Sequence, residues 1–117
     1  PSLKGCPAFK AVLVIEQPTS EEWKTLVSDW LVSSGCLYAM AWGNDCECWH
    51  DRVDQVNSSL FDYGDIPEDA FVMTTWHHDK PLKDAFWFAA HCAEHPKVPL
   101  NRKRRYQATC LSVCGGA

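Results

Sequence analysis

A chain of 117 residues with 15 acidic and 11 basic side chains, and so a formal net charge of −4, has the length for one packed core. That balance opposes non-specific nucleic-acid binding, which needs a basic face, and no apolar run approaches the roughly 20 residues that cross a bilayer. Six Trp and five Phe supply more ring area than so small a core needs, so some rings are expected at the surface, where they favour a partner.

Residues 1–8 are turn-rich and are expected to be flexible, as is the 115–117 tail; the whole of 1–117 reads as a single domain. Ala11–Ile15 is a continuous β-branched run, the pattern of a strand covered on both faces in a parallel sheet. Glu16-Gln17-Pro18 ends it. Thr19-Ser20-Glu21-Glu22 then has capping-box spacing, with the Thr19 hydroxyl as the expected cap. Trp23, Leu26, Val27, Trp30 and Leu31 follow at the spacing of one helical stripe, and Gly35 is suited to the left-handed turn that ends it.

A second strand is predicted over Cys36–Trp42. After Gly43-Asn44, Asp45 is placed to cap a helix whose inner stripe is Trp49, Val53, Val56 and Leu60, with Asp51, Arg52, Asp54 and Gln55 outside. Ala70–Trp76 reads as a third strand, His77–Lys80 as a turn, and Pro81 as the first residue of a helix over Leu82–Ala93. Ala85, Phe86, Ala89 and Cys92 form one face of that helix, while Trp87, Phe88 and Ala90 leave little of its circumference polar, so its second side suits a partner. Glu94–Arg105 reads as a loop holding Pro96, Pro99 and a solvated basic run. Tyr106–Cys114 fits a fourth strand, with a helix as the alternative.

Three successive βα units predict an α/β fold: a small three-layer sandwich with a parallel sheet of three to four strands and helices on both faces. No Gly-x-Gly-x-x-Gly or Walker-type loop follows any strand, and no cofactor is expected. In such sheets ligands bind beyond the carboxyl ends of the strands. That rule places Glu16, Asp45, Cys46 and His77 along one rim as candidate acid, base and nucleophile. Cys46 opens a helix, where the dipole favours thiolate, with His77 or His50 as a conceivable base; Glu47 and Asp51 oppose the ionisation.

For metal binding, Cys46, Cys48 and His50 are soft ligands at two-residue spacing, and His91-Cys-Ala-Glu-His95 matches a zinc-peptidase pattern. Pro96 breaks the helix just after that pattern, and too little chain follows to supply a distant third ligand. The seven cysteines accompany no signal-peptide pattern, so free and mostly buried thiols in a cytoplasmic protein are expected. For a partner surface, the candidates are Trp42, Asn44, His50, Trp76, His78 and Trp87.

The segments Trp42–Asp51 and Phe71–His77, with Leu82 and Ala85–Ala89, carry a resemblance over most of residues 9–95. On them the chain resembles a family of small uncharacterised bacterial proteins classed as a domain of unknown function. The resemblance implies a bacterial, cytoplasmic origin and brings no activity with it.

Two functions are weighed. The first is a small acidic protein of the immunity or regulatory type that binds a protein partner without catalysis of its own, with self-association also open. The alternative is a small enzyme or a ligand- or metal-binding domain using Glu16, Asp45, Cys46 and His77. A shared cleft for Glu16, Asp45 and His77 would favour the alternative; burial of Trp87 would weaken the first.

Overall fold

Residues 8–100 and 102–107 are described by the structure, a computed structural model. Phe9–Ile15 forms β1, Glu21–Ser33 α1, Cys36–Gly43 β2 and Cys46–Ser59 α2; a 3₁₀ turn at Glu68–Ala70 leads into β3 at Met73–His77, then α3 at Leu82–His91 and β4 at Arg102–Gln107. The strands pair in parallel in the order β3-β2-β1-β4. The connections from β1 through α1 to β2, and through α2 to β3, step the same way and lay both helices on one face. The connection through α3 steps back past β1 to β4 and brings its helix to the other face, as right-handed crossovers require.

Two cores follow from the strand alternation. On one face Phe9, Ala11, Leu13 and Ile15 of β1 meet Ala39 and Ala41 of β2 under Leu31 of α1 and Trp49 and Val53 of α2. On the other, Val12 and Val14 meet Tyr38 and Met40 under Ala85 and Ala89 of α3. Each fully buried Leu, Ile or Val contributes about 1.5–3 kcal/mol by leaving water, so the two central strands anchor the fold.

Several expectations are corrected. Ser20, not Thr19, caps α1, its hydroxyl accepting from the Trp23 amide at 3.1 Å. Asp45 precedes α2 in the left-handed conformation (φ 55°) and makes no side-chain cap. Leu26 and Leu60, expected in inner stripes, are exposed because they border the packed faces of their helices rather than facing the sheet. The third strand starts at Met73 because Asn57 of α2 holds the preceding segment: its amide donates to the Ala70 carbonyl at 3.1 Å and accepts from the Val72 amide at 3.0 Å. Cys92, expected to face inward, is exposed at the end of α3, and Ala93 closes that face instead.

The fourth strand takes in the basic run, expected to be loop, and continues through Tyr106 to Gln107, since pairing with β1 outweighs the weak strand preference of Arg and Lys. Most of the predicted Tyr106–Cys114 element, and the ends expected to be flexible apart from Ala8, lie outside the described residues. No helix among the described residues is long and apolar enough to cross a membrane.

Candidate functional site

The rim at the carboxyl ends of the strands is built around Gly43. Its φ of 102° lies in the glycine region, and a side chain there would run into the Ile15 carbonyl. That carbonyl accepts from the Asn44 amide at 2.8 Å, so the turn after β2 folds across the end of β1. The left-handed Asp45 then turns its carboxylate toward α1, where the Lys24 ammonium stands 3.8 Å away.

Lys24 is only 1% exposed. Its ammonium donates to the Thr19 carbonyl at 3.1 Å and to Glu21 at 3.0 Å, so the buried cation is satisfied by the loop after β1, by its own helix and by the α2 corner. Arg52 of α2 completes the network by pairing with the Glu21 carboxylate and donating to the Thr25 hydroxyl at 2.6 Å. Lys24 and Arg52 together hold the Glu21 carboxyl below the usual range. Sequence reasoning passed over Lys24. The signal was its position three, four and seven residues before Val27, Ser28 and Leu31, which places a cation on the buried stripe.

The four rim candidates do not converge. Glu16 is exposed just beyond β1. Cys46, the first residue of α2, is buried in the core that α1 and α2 form with the sheet, and burial pushes its thiol up despite backbone groups of Gly43 and His77 that pull the other way. Desolvation therefore overrides the helix dipole, and the thiol stays protonated. The His77 ring lies on the opposite face of the sheet, edge-on to Phe88 of α3 with centroids 4.9 Å apart. Its Nε2 lies 3.1 Å from the Thr75 hydroxyl, and burial lowers its pKa. A sheet thus separates the imidazole from the sulfur and from Asp45.

The metal candidates are also scattered, and no group of three or more His, Cys, Asp or Glu side chains among the described residues could hold an ion. Cys48 is exposed while its neighbour Cys46 is buried. His91 ends α3 against Trp87, with ring centroids 4.8 Å apart. His95, beyond that helix, has both ring nitrogens in use: Nδ1 accepts from the Lys97 and Val98 amides at 3.1 Å, and Nε2 donates to the Phe71 carbonyl at 2.7 Å. It is a structural clamp in a fixed tautomer.

Of the partner-surface candidates, Trp42 is half-buried and donates through its indole nitrogen to the Lys80 carbonyl at 2.6 Å, latching β2 to the turn before α3. Asn44 is exposed on the rim, and His78 pairs with Asp79 at 3.0 Å in an exposed turn. Trp87 is 60% exposed on α3.

His50 and Trp76 are the pair that the fold assembles. The His50 ring of α2 meets the Trp76 ring of β3 edge-on, with centroids 4.6 Å apart, and the indole remains 43% exposed. Asp51 lies 3.0 Å from His50 Nδ1; Asp54 lies 3.6 Å from Nε2 and accepts from the Thr74 hydroxyl at 2.8 Å. An exposed indole beside two carboxylates is suited to receive a cationic side chain, by cation–π attraction and by charge-assisted hydrogen bonds.

Among the described residues, three cavities stand out, all of them elsewhere. The largest, about 550 Å³, runs between α1 and α2 past Glu22, Leu26, Asp29 and Val56. Two of about 300 Å³ and 290 Å³ adjoin His95 and Cys36 respectively. None is lined by Glu16, Asp45, Cys46 or His77.

Residues 1–107 match the model of a domain of unknown function, DUF7684, and the chain belongs to that family. No curated protein and no solved structure matches it.

Proposed function

We propose that this member of the DUF7684 family is a small acidic partner-binding protein, bacterial and cytoplasmic, of the immunity or regulatory type, which acts by docking onto a second protein. The observation that carries the reading is the exposed Trp76 ring held against His50 beside Asp51 and Asp54. An indole left in water and already fixed by a neighbour offers large contact area at little ordering cost. The flanking carboxylates direct it toward a partner that presents Lys or Arg. The alternative reading, an enzyme on the strand-end rim, would need Cys46, Asp45 and His77 in one cleft, and their side chains face different layers.

The test is affinity capture from the source cells with the wild-type chain, Trp76→Ser and Trp87→Ser, followed by mass spectrometry. A protein retained by wild type and Trp87→Ser but lost by Trp76→Ser is expected. A protein that Trp76→Ser retains undiminished, or a small molecule carried by the chain in place of any protein, contradicts the reading.

A further inference from the structure

β3 is an outer strand, and among the described residues only β2 pairs with it. Its outward backbone groups therefore face away from the sheet, as a template for another extended segment. Proteins usually blunt such edges with Lys, Pro, a bulge or a covering element. β4, at the other end of the sheet, begins with four consecutive basic residues, Arg102–Arg105. β3 reads Met-Thr-Thr-Trp-His, without a formal charge or a proline, and its register with β2 runs unbroken from Met73 to His77.

We propose that the partner's docking element is an extended segment with alternating basic side chains, which adds to the free edge of β3 as a further strand. The inference rests on the partner-binding reading and specifies its geometry. α2 packs over β2 and β3, and its His50 and Asp54 touch Trp76 and Thr74 of the edge strand itself. Side chains of an added strand alternate between faces. Those on the α2 side fall beside Thr74 and Trp76, where the indole, Asp51 and Asp54 receive Lys or Arg. Those on the other side fall beside Met73 and Thr75, which are only half-buried because α3 packs on β1 and β2 instead. Small or apolar residues suit that side.

Charge decides against a two-fold pairing of two copies. Pairing β3 with its own equivalent about a two-fold axis would set two acidic patches against each other. Pairing β3 with another copy's β4 would be heterologous, giving a ring where the rotation closes and an open filament where it does not, and would show in the experiment as self-association.

The experiment titrates the full chain with an alternating Val-Lys octapeptide, an alternating Val-Glu octapeptide, and a Val-Lys octapeptide N-methylated at alternate residues. Binding is read by calorimetry, and backbone-amide hydrogen exchange is followed over Met73–His77. The lysine peptide is expected to bind and to slow exchange in β3, while the glutamate and N-methylated peptides do not. The Asp51→Lys/Asp54→Lys double variant is expected to weaken the lysine peptide at least about tenfold. No binding of the lysine peptide, or equal binding of its N-methylated form, overturns strand addition. Equal binding of the N-methylated peptide lost on Trp76→Ser leaves the partner-binding reading standing, so the two failures are distinguishable. Self-association that rises with concentration and is abolished by the double variant overturns the proposal in favour of a second copy.

Discussion

His50 and Trp76 lie on different elements, α2 and β3, yet their rings meet with centroids 4.6 Å apart and the indole still keeps 43% of its surface in water. The fold holds this ring at the surface, whereas Trp49, one position before His50 in α2, is wholly buried. Folding and docking should therefore separate between the two tryptophans. Trp49→Ala is expected to cost about 3–5 kcal/mol of stability, as for a deleted core ring, and Trp76→Ala about 1 kcal/mol, the scale of one aromatic contact. Urea denaturation of the two variants measures the difference.

Lys24 yields a second prediction. Its stem is buried and its ammonium ties Thr19, Glu21 and Asp45. Glu21 and Asp45 are exposed and regain water when the cation is removed, so the buried stem matters more than the charge. Lys24→Met is expected to stay within about 1 kcal/mol of wild type, and Lys24→Ala to lose about 2–3 kcal/mol through the cavity it leaves. Chemical denaturation at low and high salt separates packing from charge.

The thiols divide by burial. Cys48 and Cys92 are exposed and should react with an aromatic disulfide reagent in the native protein, whereas Cys36 and Cys46 should react only on unfolding. Peptide mapping after labelling identifies each. Burial pushes the Cys36 thiol up to about 12 and raises Cys46 as well. Unfolded thiols ionise at about pH 8.5, so above that pH the unfolded chain has lost protons that the native chain retains. Stability conferred by these two groups is thus complete below about pH 8.5 and falls as pH rises toward their native values. Cys36→Ala/Cys46→Ala should flatten the alkaline limb of a stability–pH curve.

His77 acts at the other end of the scale. Burial against Phe88 lowers its pKa, so below about pH 6.5 the unfolded chain takes up a proton that the native chain resists. Stability is expected to fall as pH drops through that value until the native pKa is passed. His77→Gln, which cannot be protonated, should remove the effect in thermal melts between pH 7.5 and 5, a range chosen from the ordinary histidine pKa of about 6.5.

Much of the frame was legible in the sequence because it rests on local patterns: the β-branched run of β1, the stripe of α1, and the Gly-Asn-Asp turn after β2. The candidate site was legible only in part, since strand alternation decides which face a side chain takes and the starting register of β3 was not evident. Trp76 and His77 are adjacent, so they must face opposite ways; only the structure shows that Trp76 goes to α2 and His77 to α3. The hold of Asn57 on Ala70 and Val72 shortens β3 through contacts remote in sequence. Likewise Asp45 reads as a cap until Lys24, 21 positions earlier, is seen to claim its carboxylate. The strand in the basic run of β4 owes its form to β1, which no local propensity reveals.

The proposed docking of a basic protein partner runs through the Trp76 face. Its most direct test is the dissociation constant of the captured, purified partner for the wild-type chain and for Trp76→Ser, measured by titration calorimetry. A loss of about 2 kcal/mol, roughly a thirtyfold weaker complex, is predicted for truncating a ring at the centre of an interface. An affinity unchanged by Trp76→Ser would contradict it.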